Sequence, residues 1–517
     1  MRIHRIILNL PERLNKRWHM AAILMLSVIL KTALAAFLVD DAINVDGVLY
    51  ISAAKALAGG DLCAALAIYP MPVYPLMIAA SHLLIPSWII SAKAISILCM
   101  AMTSIPLYLI TRDLFGSRAA FWGAAAFATA PFPNDLCMSV VRGPAFIFFF
   151  AWAVWFAQRA IISLRATHFA GALLFSLCAV SLRIESLIIF LAYPLFLAGL
   201  AIVKPHERKA LAKGLLIFLV LPLLSLWLLV AAFGTDILSL HRMDQVKDEF
   251  SILFSFGFLE RYKGIYAFLK AAETAPVFSG WRHNFSAIAR HYLPLIYMIG
   301  TTEVLVKALF PSFAVTLAWG IRGPLSRGKF FLLSLTGCFF LAVYYSHVLR
   351  DFISIRFLLI PAFLLFPWVG EGIGKIAEIG RNTQKPRIFI AAFLAFFILL
   401  PVYQCFKHVT PTRSAVISAG QWLADQPDLA NAKLVTTDLR IPFYAGDRKD
   451  FIYYDLSARA HNQPPLETFS LNHDAEIVIY KLSPQENDSL PESLYFRRLN
   501  QFSDKKNVVI IFKRRGL

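Results

Sequence analysis

The chain has 517 residues, 58% of them hydrophobic, and a mean hydropathy of +0.63; a water-soluble fold could not bury that much apolar surface, so lipid must be part of its solvent. A formal charge of +18 would suit nucleic acid, yet the basic residues are spread over short connections between apolar runs and form no nucleic-acid-reading motif. The six cysteines show no CxxC or Cys/His spacing, which argues against a metal site of that kind and leaves them as packing residues.

A membrane-spanning helix needs roughly 20 mostly apolar residues. Residues 18–39 are the first such run; more apolar runs follow it, so it reads as a retained span and not as a signal peptide. Arg2, Arg5, Arg13, Lys16 and Arg17 precede it against the single acid Glu12, which places the N-terminus in the cytoplasm. The first outer loop, residues 40–70, then carries Asp40, Asp41, Asp46 and Asp61 against one Lys55. Further spans are expected at 88–110, 118–132, 135–156, 169–182, 184–203, 214–233, 303–321, 330–347, 355–370 and 388–406, about eleven in all. Every inner connection this implies is basic, so the alternation is consistent.

Two stretches fit no span. Residues 71–85, which with their approach carry three prolines, and the amphipathic stretch 250–269 in a long outer loop (234–302) both read as helices lying in the outer interface. After about residue 407 the composition turns soluble, with a helical pattern at 414–424 and strand-like runs at 433–436, 476–480 and 507–512. The fold class expected is therefore a mostly α, polytopic helical membrane domain (1–406) followed by a small extracytoplasmic α/β domain (407–517). No internal repeat is visible, and no paired broken helices of the transporter kind.

Cations near the outer ends of spans stand out, because the positive-inside rule does not account for them. Arg142, Arg183 and Arg356 lie near the outer ends of three spans, and Lys31 and Lys93 in the outer halves of two more. Together they would suit a lipid-anchored phosphate, the alternative being that each snorkels to the headgroups. In the first loop, Asp46 and Tyr50 are four apart and share one helix face. Asp46 is either a general base for an acceptor hydroxyl or simply the N-cap of that helix. Arg183 and Glu185, two apart on a helix, would not face each other and are expected to have separate partners. No histidine spacing suggests a metal or a nucleophile's base, and no glycine-rich phosphate loop for a nucleotide sugar is present.

These segments resemble the polytopic GT-C glycosyltransferases related to protein O-mannosyltransferases and to the aminoarabinose transferase that modifies lipid A. Asp46-Gly47-Val48-Leu49-Tyr50, the alanine-rich helix after it and Gly59-Gly60-Asp61 resemble that family's first-loop acidic motif. Tyr69-Pro70-Met71-Pro72-Val73-Tyr74-Pro75 is similar to its Tyr/Pro-rich approach to an interfacial helix, and Arg112 to Arg118 to its basic loop. Leu182-Arg183-Ile184-Glu185 resembles its Arg-x-Glu element, Arg356-Phe357 its Arg-Tyr segment, and Tyr444-Ala445-Gly446 its Tyr-Ala-Gly element. Where many members have a second acid, this chain has Gly47, and near the fourth span it has Arg142-Gly143-Pro144.

The resemblance implies transfer of a sugar from a polyprenyl-phosphate donor to a lipid, glycan or protein acceptor, usually with inversion, in a bacterial inner membrane. It makes Asp46 the base, with Asp41 of the Asp40-Asp41 pair as a second carboxylate. Arg183, Arg356, Arg142 and Lys93 would hold the donor phosphate, and Tyr50, Glu185 and Tyr74 would line the substrate site. No cofactor is expected, and a divalent metal at a lone outer carboxylate stays open. A lipid-linked glycan flippase or other transporter, and a phosphoryl or acyl transferase, are the competing expectations.

Overall fold

The structure is a computed structural model, described here for residues 18–38, 42–233, 255, 257–274, 281–382, 387–407, 414–448, 450–455, 464–487 and 493–515. Helix dominates, as a chain that must satisfy its backbone without water requires. The helices before the first long connection are α1 (His19–Phe37), α2 (Val45–Ala58), α3 (Leu62–Ile68), α4 (Val73–His82), α5 (Trp88–Met102), α6 (Ser104–Phe115), α7 (Ser117–Thr129), α8 (Pro131–Met138), α9 (Gly143–Ser163), α10 (Ala166–Val180), α11 (Ile188–Val203) and α12 (Arg208–Phe233). They are followed by α13 (Gly257–Thr274), α14 (Trp281–His291), α15 (Leu293–Leu309), α16 (Pro311–Gly320), α17 (Arg327–Arg350), α18 (Leu359–Asn382) and α19 (Arg387–Lys407).

By length and composition, six described helical stretches can cross a membrane: His19–Phe37, Trp88–Phe115, Gly143–Ser163, Ile184–Val203, Arg327–Arg350 and Ile355–Ile379. Phe285–His291 and Leu293–Leu309, bent by 79°, make a seventh if counted as one span. The chain is a multi-pass membrane protein. Each region expected to span is helical, but not always as one rod. Residues 135–156 are not a continuous helix, because α8 ends at Met138 and α9 starts only at Gly143 with Pro144 in its first turn. Residues 303–321 are likewise broken at Phe310, ahead of Pro311; proline lacks the N–H that would continue a ladder, so in both places it opens a new helix.

Three helices meet backbone to backbone. A Cβ added at Gly370 or Gly372 of α18 would fall 2.3 Å from the Ala119 carbonyl oxygen or 1.9 Å from that of Thr316, and one at Gly320 would fall 1.8 Å from that of Trp368. Glycines therefore let α18 lie directly on α7 and α16, the small-residue packing that substitutes for hydrophobic driving force in lipid. Lys31 of α1 is fully buried; its ammonium donates to Ser27 Oγ at 2.9 Å and to the Ala128 carbonyl, near the C-terminus of α7, at 3.4 Å. That favours the negative end of the helix dipole and removes Lys31 from the group of outward-placed cations.

Beyond α19 the chain forms a small α/β unit with α20 (Ala415–Ala424), β1 (Leu434–Thr436), α21 (Arg440–Tyr444), β2 (Phe451–Tyr453), α22 (Leu466–Asn472), β3 (Ile477–Leu482), α23 (Pro484–Asn487), β4 (Phe496–Ser503) and β5 (Val508–Arg514). The strand order is β2-β1-β3-β5-β4, with β1 parallel to β2 and β3 and the other pairs antiparallel. Ile477, Ile479, Val509 and Ile511 pack under Val416, Ala419 and Leu423 of α20. Three strands and α20 match the sequence pattern; β2 and β4 were not legible, since β2 has three residues and β4 is mostly exposed. Of the amphipathic stretch 250–269, the part from 257 is helical in α13, and 250–254 and 256 lie outside the described residues.

Candidate functional site

The site is built around the start of α2. Asn44, with extended backbone (ψ 161°), holds the N-cap position and Asp46 is the second helical residue, so Asp46 is not the cap. A carboxylate in a first turn still suits the helix dipole. Asp46 is exposed and makes no hydrogen bond or ion pair with a described residue. One turn on, Tyr50 is 3% exposed and stands edge-on to Tyr69 at 4.8 Å and Tyr74 at 5.2 Å. Burial, then Tyr69, push its phenol well above the ordinary value against the pull of Arg142, so it stays a neutral group.

The break between α8 and α9 delivers Arg142. A Cβ on Gly47 would sit 3.0 Å from Val140 Cβ and 3.1 Å from Asn44 Oδ1, so α2 lies tight against this break and position 47 has little room for a second acid. Arg142 stands at the N-cap of α9, where the helix dipole opposes a cation. Its Nη1 donates to the Tyr69 hydroxyl at 2.5 Å and contacts Met71 Sδ at 3.0 Å, with the guanidinium 5.8 Å from the Tyr69 ring centre.

Arg183 and Glu185 correct the expectation of separate partners. Arg183 has extended backbone (φ −146°, ψ 124°) ahead of a 3₁₀ turn, Ile184–Leu187, and in that geometry residues two apart point the same way. They pair with each other, Nη2 to Oε1 at 2.6 Å and Nε to Oε2 at 3.3 Å. The Arg183 guanidinium also covers the Phe146 ring at 5.5 Å, one turn into α9. Arg183 lies within electrostatic reach of Tyr50 and Tyr69, and Arg142 within reach of Glu185. Tyr50, Tyr69, Arg142, Arg183 and Glu185 therefore form one cluster, with Asp46 one helical turn before Tyr50 at its edge.

Other expected residues lie elsewhere or play another part. Tyr74 is fully buried, bonds Ser96 Oγ at 2.9 Å and forms the wall behind Tyr50. Lys93 donates to the Leu38 carbonyl at 3.3 Å, at the end of α1. Arg356 is exposed on a 3₁₀ turn, Ile355–Leu358, and no hydrogen bond or ion pair among the described residues joins it to the cluster. Asp41 lies outside the described residues. Tyr69 and Met71 belong to the Tyr/Pro-rich segment, whose pattern gives neither a role, and their contact with Arg142 depends on a fold that brings residues 71 to 73 positions apart together. Among the described residues no group of three His, Cys, Asp or Glu could hold a metal ion.

Residues 69–233 match the family model described as dolichyl-phosphate-mannose-protein mannosyltransferase. No curated protein matches the chain by sequence. Among solved structures, ArnT from Cupriavidus metallidurans bound to undecaprenyl phosphate is similar at 12% identity over 96% of this chain and 98% of that one, with a TM-score of 0.54. The Archaeoglobus fulgidus oligosaccharyltransferase in its apo form is similar at 12% identity over 90% of this chain and 70% of that one, with a TM-score of 0.59. AglB from the same archaeon, in complex with an inhibitory peptide and a dolichol-phosphate, gives 12%, 89%, 69% and 0.51. The chain thus has the fold of the GT-C membrane glycosyltransferases.

Proposed function

We propose that the protein transfers a sugar from a polyprenyl-phosphate donor to a hydroxyl of a lipid, glycan or protein acceptor. The carrying observation is a carboxylate, Asp46, unpaired among the described residues, at a helix start that packs against the break bearing Arg142 and whose Tyr50 lies within electrostatic reach of Arg183. Asp46 takes the proton of the acceptor hydroxyl as its oxygen attacks the anomeric carbon. The bond from that carbon to the phosphate oxygen breaks on the opposite face, which inverts the configuration. Arg142 and Arg183 neutralise the departing lipid phosphate, whose low basicity makes a proton donor unnecessary. The ArnT and AglB structures, with their undecaprenyl and dolichol phosphates, support a lipid-phosphate donor.

In this reading Glu185 orients Arg183, Tyr50 borders the sugar site and Tyr74 supports Tyr50, while Arg356, Lys93 and Asp41 complete the phosphate and acid sets when the donor binds. The membrane domain (1–406) sits in a bacterial inner membrane with its N-terminus inside, and the C-terminal domain (407–517) lies outside. Asp46→Asn is expected to abolish turnover while donor binding and expression persist. The measurement is mass spectrometry of envelope lipids and glycans from deletion and point-mutant cells. A sugar mass lost in both, with the donor accumulating, supports transfer; a lipid-linked glycan stranded on the inner leaflet would make the protein a transporter.

A further inference from the structure

The C-terminal domain touches the polypeptide immediately ahead of α2, and the chemistry above makes no use of that contact. The Tyr444 hydroxyl, at the end of α21, accepts the backbone N–H of Ile43 at 3.0 Å across 401 residues of sequence. Arg440, one turn earlier, donates Nη1 to the carbonyl of the same residue at 3.3 Å. One residue is therefore gripped on both its donor and its acceptor by two side chains of one helix face. Arg440 is itself fixed, with Nε on Asp438 Oδ1 at 2.8 Å and Nη2 on Oδ2 at 2.5 Å, and Asp438 also takes Lys481 at 3.2 Å.

The far end of α2 is held by the same segment. Lys55 pairs with Asp447 at 2.7 Å and lies 5.3 Å from the Phe443 ring centre. Gly446 (φ 85°) and Asp447 (φ 63°) both take the left-handed backbone that glycine permits and aspartate tolerates, and together they shape the turn that presents this carboxylate. Gly420 of α20 lets α21 seat closely, since a Cβ there would fall 2.5 Å from Tyr444 Cβ. Ile43 is 2% exposed, and Asp46, three residues on, has no hydrogen bond or ion pair of its own among the described residues.

We propose that residues 440–447 are a positioning clamp by which the C-terminal domain sets the placement of Asp46. Arg440 and Tyr444 act through the backbone of Ile43, and Lys55 with Asp447 fixes the direction of α2. The inference rests on the function proposed above. Positioning errors well below 1 Å change a rate where they leave affinity alone, and a full ångström can cost about a hundredfold.

The experiment uses the full-length protein in lipid, with Tyr444→Phe, Lys55→Asp and the double swap Lys55→Asp with Asp447→Lys. Hydrogen exchange of the amides of residues 43–50 is read beside kcat, donor KM and the melting of the C-terminal domain. Tyr444→Phe is expected to speed exchange at 43–50 and lower kcat by roughly tenfold, leaving donor KM and domain melting unchanged; the double swap recovers most of what Lys55→Asp loses. Unchanged exchange at 43–50, or faster exchange with wild-type kcat, would overturn the clamp, as would a swap that restores nothing. A wild-type protein that moves no sugar would sink the glycosyl-transfer reading instead, and the exchange arm would still decide the clamp.

Discussion

Arg142 sits where local helix energetics disfavour it. A cation at the N-cap of α9 works against the dipole, and among the described residues Tyr69 and Met71 hold its Nη1. A residue retained against its own element fits a ligand that repays the cost. Arg142→Gln is expected to raise the donor KM by roughly ten- to a hundredfold, the effect of losing a hydrogen bond to a charged group worth roughly 1.5–3 kcal/mol. Steady-state kinetics on the purified enzyme checks this, and an unchanged KM would remove Arg142 from the phosphate site. Asp46, Tyr50, Arg142 and Arg183 were legible in the sequence because a charge or an acid–aromatic pair in a lipid-facing chain is conspicuous. The pairing of Arg183 with Glu185 was not, because it depends on one extended residue that periodicity reads as helix. Arg356 was singled out by the same charge logic, and it stands exposed on a 3₁₀ turn with no bond to the cluster among the described residues.

At the scale of elements, apolar runs marked where helices form, but two of them, 135–156 and 303–321, were read as continuous spans although each is broken where a proline opens a new helix. What the runs could not reveal is which helices lie against each other, since that depends on glycines whose neighbours come from distant segments. Gly372 is the clearest case: its α-hydrogen faces Thr316, and a methyl group would overlap the carbonyl oxygen at 1.9 Å. Gly372→Ala is expected to destabilise the protein by roughly 1–3 kcal/mol through overpacking, read as a lower melting temperature in detergent. Gly374, with nothing within 4 Å of its added Cβ, is the internal control: alanine there should be neutral or stabilising, given glycine's poor helix propensity.

Across the whole molecule, the joint between the C-terminal domain and the first loop was invisible to sequence, because Ile43 and Tyr444 are 401 residues apart and neither is charged. The ions behind that joint make it sensitive to acid. Burial raises the Asp438 carboxyl, but Arg440 and Lys481 outweigh it and hold the group below the ordinary carboxylate range. Its contribution is therefore complete above the unfolded value of about 3.9, and it is lost as pH falls through that value and then through the folded one. At the half-buried Asp504 desolvation raises the carboxyl, but the backbone N–H groups of Ala415, Lys506 and Asn507 outweigh it and lower it, so it acts in the same direction. Stability of the C-terminal domain should thus drop below about pH 4, and Asp438→Asn should flatten that drop in part; melting curves across pH 3–7 test it, and an Asp438→Asn profile parallel to wild type would contradict it.

The glycine-lined contact of α18 with α7 and α16 bears on how these helices can move. Carbonyl oxygens there lie against glycine α-carbons with no side chain between them, so sliding one helix along its neighbour by a turn would drive a carbonyl into a larger residue. The three helices are therefore locked in register and shift, if at all, as one body.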